Sequence, residues 1–548
     1  MKMKKLIGIS LLGLSCLGLF SCDDIINNNS NDNTEIEDVE TVTIATDMFS
    51  DGDTKDVTKD DCSEIIDLST LSQDYTITAG GSYYFTGSIE NHQIIINTDS
   101  NDTKNVHIVF ENVTITHSSK AAIYVENAEK TIIHLIGENT VTTTYTTSYA
   151  VGSSNIDGAI HSKDDLSITG SGTLNINSKI HGIVCKNDLK ITNGTIVVNA
   201  EEKSLDCNDS FRMQDGTVTL VSASADCIHV ENDEEDAFFY LEGGTLNVTS
   251  KTNDCIDVSY DTSSSSFEGY ITIVGGTLNV TGNSSGSKGI KSDGIISIGG
   301  GDIKANTYDD SIHSAKNINI TKGTLDLTSK DDAIHSDNTV NITDGNILVS
   351  AHEGIEGNVV NISGGNIEVY ATDDGLNASS AINVAGGYID VTMSGNDVDG
   401  VDSNGSFTQT GGVIVSKVLN ATEMAAPLDV DGSISIKGGT FVALGYYSNI
   451  TSKSSVPSVG FGNSSSMGGM MGGGFGPQSS SSSSSSSSSQ SFSSGTYTIT
   501  KSGSSDVLIT FKLTSTYSAL GIASDLLTKG QSYILYKDGS SLKTWTQS

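Results

Sequence analysis

The chain has 548 residues, a formal net charge of −38 and a sequence pI near 4.3. Arg212 is its single arginine, and binding to phosphate backbones needs clustered Lys and Arg, so the composition excludes nucleic acid as an expected partner. Strong acidity keeps an exported protein soluble, but solubility alone does not require acids at a fixed spacing.

Residues 1–22 are predicted to form a lipoprotein signal peptide. Three lysines precede an apolar run over residues 6–20, which is short for a membrane span. The run leads into LFSC (19–22), which resembles a bacterial lipobox and predicts lipidation of Cys22; an ordinary secretory signal is the alternative. Residues 23–42 are polar and acidic, as expected of a tether. We therefore expect a lipid-anchored protein of the bacterial cell envelope.

Residues 43–150 are predicted to form an N-terminal cap and the first coils of a repetitive β structure. Strand patterns occur in YTITAGGSYYFTGSI (75–89) and VHIVFENVTIT (106–116), among others. A solenoid needs a cap at each open end because an exposed coil is an unpaired β edge.

Residues 151–450 contain a repeat of about 22 residues. Each copy places an aliphatic residue between polar ones, as in DCIDV (254–258), DSIHS (310–314) and DGVDS (399–403). Alternating apolar and polar residues around paired glycines follow, as in VNISGGNIEVY (360–370), and indicate strands joined by tight corners. The repeated aliphatic residues are Ile160, Ile183, Leu205, Ile228, Ile256, Ile290, Ile312, Ile334, Ile355, Leu376 and Val401.

This repeat predicts an all-β, single-stranded parallel β-helix. A sandwich or barrel does not need the same residue at the same offset in every repeat, and a leucine-rich horseshoe requires a leucine/asparagine consensus that is absent here. Coils stack about 4.8 Å apart, so eleven repeats predict a rod of roughly 50 Å.

The end of the chain is predicted to contain a linker and a final β segment. Residues 451–494 are rich in Gly, Met and Ser, a composition typical of flexible linkers. Residues 495–548 resume a strand pattern, and we expect them to pack on the β-helix or cap it, with a separate small domain as the alternative.

Four cysteines recur at matching offsets in neighbouring repeats. Cys185 matches Cys207, and Cys227 matches Cys255. Coil spacing lies within the disulfide range, so disulfides and a plain small-residue ladder both stay open. The spacing does not indicate zinc.

Several segments resemble bacterial exported carbohydrate-binding β-helix proteins, whose clostridial members bind cellulose-type and polygalacturonate polymers. They include AAIYVENAEKTIIHL (121–135), AIHSKDDLSITGSGTLNINS (159–178) and YSALGIASDLLTKGQSYILY (517–536). The resemblance runs from about residue 43 to the C-terminus. It implies a right-handed parallel β-helix with an N-terminal β cap, Ca²⁺ held between coils, a shape similar to β-helical pectate lyases, and sugar binding rather than cleavage.

The acids of the repeat predict metal sites. Stacked carboxylates at one offset repel each other without a cation, and Ca²⁺ takes six to eight oxygen ligands. The alternative is that these aspartates only cap corners by accepting backbone N–H groups. The predicted Ca²⁺ ligands are Asp309, Asp310, Asp331, Asp332, Asp373, Asp374, Asp397, Asp399 and Asp402, with Asp226, Asp254 and Asp257 as a second group.

Histidines follow the aliphatic residue in four repeats, at His161, His229, His313 and His335. Carboxylates dominate the same columns. We therefore expect these histidines to be polar surface or hydrogen-bonding groups rather than a transition-metal ladder.

Together these features predict a calcium-dependent binding protein for an acidic polysaccharide such as polygalacturonate, acting as a monomer. Lys288, Lys291 and Lys330 are the predicted contacts to sugar carboxylates. Trp545 is the only tryptophan, so the stacked aromatic platform of many cellulose binders is absent. A structural adhesin or spacer is a further alternative.

An enzymatic alternative is a pectate-lyase-like eliminase, with Lys291 as the base that removes a proton beside the uronate carboxylate. The β-helical lyases that use a lysine carry a DDxxD-type Ca²⁺ site. DDAIH (331–335) and DDGLN (373–377) keep only the first two acids, which favours binding over catalysis.

Overall fold

The computed structural model describes residues 48–232, 235–260, 268–395, 398–421, 425–462 and 491–548. The predicted signal peptide with Cys22, the acidic tether, Asp397 and most of the predicted linker lie outside the described residues. Within the described ranges, no helix is both long and apolar enough to cross a membrane.

The described chain is nearly all β and forms a parallel β-solenoid of about 14 turns, which confirms the predicted fold class. Each turn contributes strands to three faces, and each strand pairs in parallel with its counterpart in the next turn. Apolar side chains of all three faces point inward and form one continuous core along the rod.

The first face carries the repeat motif. Its separate strands are Tyr75–Ile77, Ile94–Asn97, Ile123–Asn127, Gly158–Ser162, His181–Cys185, Leu205–Cys207, Ile228–Asn232, Ile256–Tyr260, Ile290–Ser292, Ile312–Ser314, Val401–Ser403 and Asp429–Val430. Three longer strands bend from the first face into the second: Asp332–Ile342, Glu353–Ile362 and Leu376–Val384.

The second and third faces complete each turn. The separate strands of the second face are Glu64–Asp67, Thr131–Ile136, Leu166–Gly170, Asp188–Ile191, Ser210–Met213, Ala237–Leu241, Gly269–Ile273, Ser406–Gln409 and Ile434–Ile436. Those of the third face are Glu138–Thr143, Thr173–Ser178, Thr195–Ala200, Thr217–Ser222, Thr245–Ser250, Thr277–Gly282, Asn346–Ala351, Asn366–Ala371, Tyr388–Met393, Val413–Val418 and Thr440–Leu444. The strands Gly81–Glu90, Val106–His117, Ile296–Asn306 and Asn317–Thr328 bend from the second face into the third.

The aliphatic residues of the repeat form one buried ladder on the first face. From Ile160 to Val401, every residue predicted for this ladder is paired in register with the next one. Each is fully buried. The ladder also begins earlier than the clean repeats, because Ile94 pairs with Ile123 and Ile123 with Ile160.

Paired glycines form the corner between the second and third faces. Gly244 has a φ of +73°, and a Cβ there would lie 2.6 Å from the carbonyl oxygen of Gly216 in the preceding turn. This corner therefore needs glycine both for its backbone angle and for the close approach of neighbouring coils.

The N-terminal described segment crosses the outside of the second face. The side chain of Asp53, in the short helix Asp51–Thr54, is fully buried and accepts hydrogen bonds from Lys130 and Ser167 at 2.8 and 2.6 Å. Burial opposes its charge, but these bonds outweigh that effect and lower the pKa of Asp53. The charged side chain of Asp53 thus anchors this segment to the solenoid. Two 3₁₀ turns follow, at Lys59–Asp61 and Leu68–Thr70, and a hairpin of Tyr149–Val151 and Ser154–Ile156 extends from the rod.

The C-terminal strands cover the last turn. Ala519–Ser524 pairs antiparallel with Thr440–Leu444, the last third-face strand, and with Ser458–Gly462. This pairing occupies a β edge that would otherwise be open. A four-stranded antiparallel sheet follows, with strands Gly495–Lys501, Val507–Leu513, Ser532–Lys537 and Ser540–Thr546; a short helix spans Ser448–Lys453.

The four repeat cysteines are buried free thiols. Cys185 pairs in register with Cys207 in the adjacent turn. Cys227 and Cys255 also lie in adjacent turns, where each sulfur is fully enclosed. In this structure they act as small core residues.

Candidate cation and polysaccharide site

Two polar columns run along the first face beside the aliphatic ladder. The cap column lies two residues before each ladder residue and consists of Asp226, Asp254, Lys288, Asp310, Asp332, Glu353, Asp374 and Asp399. The outer column lies one residue after it and consists of Asp206, His229, Asp257, Lys291, His313, His335, Glu356, Asn377, Asp402 and Asp429. The ladder register makes both columns continuous from the turn of Leu205 to the last turns of the rod.

Carboxylates of the cap column accept backbone N–H groups from the next turn. The Oδ1 atom of Asp254 accepts the N–H of Lys288 at 2.8 Å, and Oδ1 of Asp374 accepts the N–H of Asp399 at 3.0 Å. Asp399 repeats the pattern with the N–H of Ala426 at 2.6 Å. The capping alternative is therefore observed, but it uses one oxygen and leaves Oδ2 for another partner.

In the middle of the rod, the Oδ2 atom of a cap-column aspartate contacts a lysine. The Nζ atom of Lys288 lies 2.7 Å from Asp309 Oδ1 and 2.6 Å from Asp310 Oδ2. Burial opposes the charge of Asp310, but His313 and Lys288 outweigh it and lower the pKa of Asp310 to about 2. Lys288, a predicted sugar contact, is thus paired with Asp309 and Asp310, two of the predicted Ca²⁺ ligands.

Lys291 is similarly enclosed by acids. Its Nζ lies 3.1 Å from Asp257 Oδ1 and 3.5 Å from Asp254 Oδ2. Burial opposes the lysine charge, but Asp257 and Asp254 outweigh it and raise the pKa of Lys291. Lys291 is therefore an ammonium at neutral pH and is poorly suited to accept a proton.

Two histidines in adjacent turns, with their rings edge-to-face, also contact acids in this part of the columns. The Nδ1 atom of His313 lies 2.8 Å from Asp310 Oδ2, and Nδ1 of His335 lies 2.9 Å from Asp332 Oδ2. The hydrogen bond to Asp332 is the main cause that raises the pKa of His335 to about 9. We call the stretch of both columns from Asp206 to Glu356 the cation-paired half.

The columns change character in the last turns. Among the described residues, no lysine, arginine or histidine forms an ion pair with Asp374, Asp399 or Asp402. Burial first, and then neighbouring carboxylates, raise the pKa of Asp374 and Asp399 to about 7 and that of Asp402 to about 6. We call Asp374, Asp399, Asp402 and their outer-column neighbour Asp429 the cation-free half.

The remaining predicted residues lie at the edge of these columns. Asp331 lies in a group with Asp309 and Asp310 whose ligand atoms are within 4.8 Å of one another. Asp373 is near His352, with 3.9 Å between Oδ2 and Nδ1. Lys330 lies over the ring of Tyr308, with Nζ 3.5 Å from the centroid, rather than against an acid.

The structure also brings into the columns residues that were not among the predicted Ca²⁺ ligands. Glu353 and Glu356 occupy the two columns, and burial raises the pKa of Glu356 to about 7. Asp429 pairs in register with Asp402 and extends the outer column by one turn. The sequence LDVDG (428–432) carries the aliphatic–acid signal of the repeat, at a gap somewhat longer than most, and could have revealed this turn.

The fold and these columns define a β-solenoid with a long acidic face, compensated by cations along only part of its length. A family described as carbohydrate-binding domain-containing proteins matches residues 72–333 and 323–526, which is most of the chain. The chain belongs to this family, as the sequence resemblance predicted.

Two other proteins are similar to parts of this chain. A carbohydrate-binding domain-containing protein of Acetivibrio thermocellus is 34% identical over 131 residues, which is 23% of this chain and 45% of the relative. The match thus spans less than half the length of that curated relative. A polysaccharide lyase-like protein from C. thermocellum, solved as a gadolinium derivative, is 23% identical with a TM-score of 0.33, over 47% of this chain and 96% of that one.

Proposed function

We propose that the chain is a calcium-dependent carbohydrate-binding surface lipoprotein that recognises an acidic polysaccharide such as polygalacturonate. The observation that carries this proposal is the cation-free half, where Asp374, Asp399 and Asp402 are partly buried together without a counter-charge from any described residue. Carboxylates held in this way raise their pKa or take a cation. Membership of a carbohydrate-binding family supports the sugar as partner.

The donor set fits Ca²⁺. Asp374 and Asp399 each use Oδ1 for a backbone N–H, so Oδ2 of both, together with Asp402, would hold the ion. The ligands are all oxygen, as a hard cation prefers. A bound Ca²⁺ would supply the positive charge that a uronate carboxylate needs near a chain with a net charge of −38.

Lysines contribute little free positive charge to this binding face. Lys288 and Lys291 are each held by two aspartates. Lys330, without an acid partner among the described residues, is the lysine of the three that can contact a sugar carboxylate. Cys22 would carry the lipid that keeps this face at the cell envelope.

The state of Lys291 favours binding over elimination. A lyase base must be neutral before it takes the proton beside the uronate carboxylate. Asp254 and Asp257 instead stabilise the ammonium form. We therefore expect polygalacturonate to be bound without cleavage.

The test is pull-down and calorimetric binding of the full chain to polygalacturonate, with and without Ca²⁺, while absorbance reports unsaturated product. The variant D374N/D399N removes two charges but keeps an amide oxygen to cap each backbone N–H. Its control is D326N, because Asp326 lies on the third face in an exposed pair with Lys304.

The expected result is calcium-dependent binding in the wild type and D326N, loss of that binding in D374N/D399N, and no product. Product formation would replace the proposal with the lyase alternative. Absence of both sugar and Ca²⁺ binding would leave the adhesin or spacer. Lipidation is tested separately, by labelled fatty-acid incorporation that should disappear in Cys22→Ser.

A further inference from the structure

The histidines of the cation-paired half lie in a nitrogen and oxygen cluster that differs from the all-oxygen cluster of the last turns. His313 and His335 are paired in register in adjacent turns, and their ring centroids are 4.9 Å apart. The Nδ1 atoms of both rings face the same oxygen, Asp310 Oδ2, at 2.8 and 3.6 Å. Two imidazoles from separate coils therefore converge on one carboxylate.

Further carboxylates complete the cluster. Nδ1 of His335 lies 2.9 Å from Asp332 Oδ2 and 3.7 Å from Glu356 Oε2. The ligand atoms of Asp310, His313 and His335 all lie within 4.8 Å of one another, and so do those of Asp332, His335 and Glu356. His335 thus belongs to both groups and joins three consecutive turns.

We propose that Asp310, His313, His335 and Glu356 form a binding site for a divalent transition metal, with Zn²⁺ as the ion that this donor set fits. Imidazole nitrogen and carboxylate oxygen are Zn²⁺ ligands, usually four in a tetrahedron. Ca²⁺ is bound by oxygen, so a pair of imidazoles selects against it. The site is separate from the calcium proposal, because it uses different turns and a different class of ion.

The backbone makes this cluster well organised for a metal. His313 and His335 are on first-face strands whose ladder residues are fully buried, so the parallel register fixes the separation of the two rings. Asp310 is itself almost completely buried. A metal bound here would join three turns of the solenoid and add its binding free energy to their stability.

Lys288 is the competing cation. Its Nζ lies 2.6 Å from Asp310 Oδ2, and metal binding requires this ammonium to keep only Asp309, 2.7 Å away. Another cluster, formed by Asp226, His229 and Asp257, contains a single histidine and is less suitable. There Lys203 lies 2.8 Å from His229 Nδ1, the atom that would have to bind the metal.

The experiment uses the purified full chain, stripped with chelator, and adds Co²⁺ as a spectroscopic probe and Zn²⁺ in calorimetry. The test variant is H313N/H335N, since asparagine still donates a hydrogen bond to the aspartates but is a poor metal ligand. The control is H352N, because His352 is exposed and its own group, with Glu353 and Asp373, contains a single imidazole one turn away. Far-UV circular dichroism checks that each variant is folded.

We expect visible Co²⁺ absorption typical of tetrahedral nitrogen and oxygen ligation, displaced by one equivalent of Zn²⁺ and unaffected by excess Ca²⁺. This signal should vanish in H313N/H335N and persist in H352N. E356Q, which keeps both imidazoles, should bind about tenfold more weakly or worse, and it serves as the test if the double variant does not fold.

Three results would overturn the proposal. The first is the absence of Co²⁺ absorption and Zn²⁺ heat in the wild type, which would leave the histidines as ion-pair partners of the aspartates. The second is unchanged binding in H313N/H335N and E356Q. The third is loss of the signal in D374N/D399N, which would place the metal in the last turns.

Discussion

The cation-paired and cation-free halves are built from one repeat and one backbone geometry, yet an aspartate at the same position in each half can have the opposite pKa shift. Asp310 and Asp374 occupy the same cap column, two residues before a buried ladder residue. The pKa of Asp310 is lowered to about 2, while that of Asp374 is raised to about 7. The backbone position is shared, so the difference comes from the side chains in neighbouring turns.

Coil stacking causes this difference, because each side chain has its column neighbours about 4.8 Å away. In the middle turns those neighbours include Lys288, His313 and His335; in the last turns they are Asp399, Asp402 and Asp429. A motif in one turn therefore does not determine its own chemistry. The same Asp is an ion-pair partner in one place and a candidate cation ligand in another.

The largest expected change in stability comes from a substitution that removes a lysine charge from the cation-paired half. Lys288→Met keeps the aliphatic stem but leaves Asp309 and the buried Asp310 without their lysine. Because an uncompensated buried charge is costly, we expect the free energy of unfolding at pH 7 to fall by about 3 kcal/mol. Chemical denaturation in chelator measures it.

The control for this change is Lys304→Met on the third face. Lys304 also pairs with an aspartate, Asp326, but both side chains are exposed. A loss below about 1 kcal/mol is expected there. Equal losses in the two variants would contradict the view that the buried carboxylates dominate.

The second effect is stabilisation by Ca²⁺, which we expect to depend on the aspartates of the cation-free half. At a concentration a hundred times its dissociation constant, a ligand stabilises the folded state by about 2.7 kcal/mol. We expect a corresponding rise in melting temperature in wild type and none in D374N/D399N. A full calcium response in that variant would assign the ion to other acids.

The third effect is a pH dependence of stability in the absence of metal. Asp374 and Asp399 have a folded pKa of about 7, against about 3.9 for an unfolded aspartate. Between about pH 4 and 7 the folded state therefore binds more protons, and stability is lost as the pH rises through 7. D374N/D399N should match wild type below about pH 4, where both carboxyl groups are protonated in the folded and in the unfolded chain.

At pH 8 the same variant should be more stable than wild type by about 1–2 kcal/mol, an amount reduced by solvent screening at partly exposed groups. Thermal melts of both proteins across this range provide the measurement. A constant difference at every pH would show that the two carboxylates are not responsible. Addition of Ca²⁺ should remove the pH dependence from the wild type.

The smallest effect is expected at a cation that has no acid to compensate. Lys330→Gln removes the contact with the exposed ring of Tyr308, which contributes about 0.5 kcal/mol. Comparison with Lys288→Met then separates the stability lost with any lysine from the stability lost when a carboxylate loses its lysine partner. A loss as large as that of Lys288→Met would show that lysine contacts in general, rather than buried acids, stabilise this face.

The ladder was predictable because its cause is local and repeated. Every ladder residue from Ile160 to Val401 was placed correctly from spacing alone, since a parallel coil must return each aliphatic residue to the same core position. The turn at Asp429 was not placed, because its gap is longer and its cap position holds Ala426 rather than an acid.

The sequence by itself determined the fold class, the register of the core ladder and the existence of acidic columns, because these depend on a period that can be counted along the chain. Only the tertiary structure decided which acids are compensated. Lys288 lies 22 residues before Asp310 in sequence but 2.6 Å from its carboxylate. Electrostatic state depends on such distances between turns, and they exist only when the coils stack.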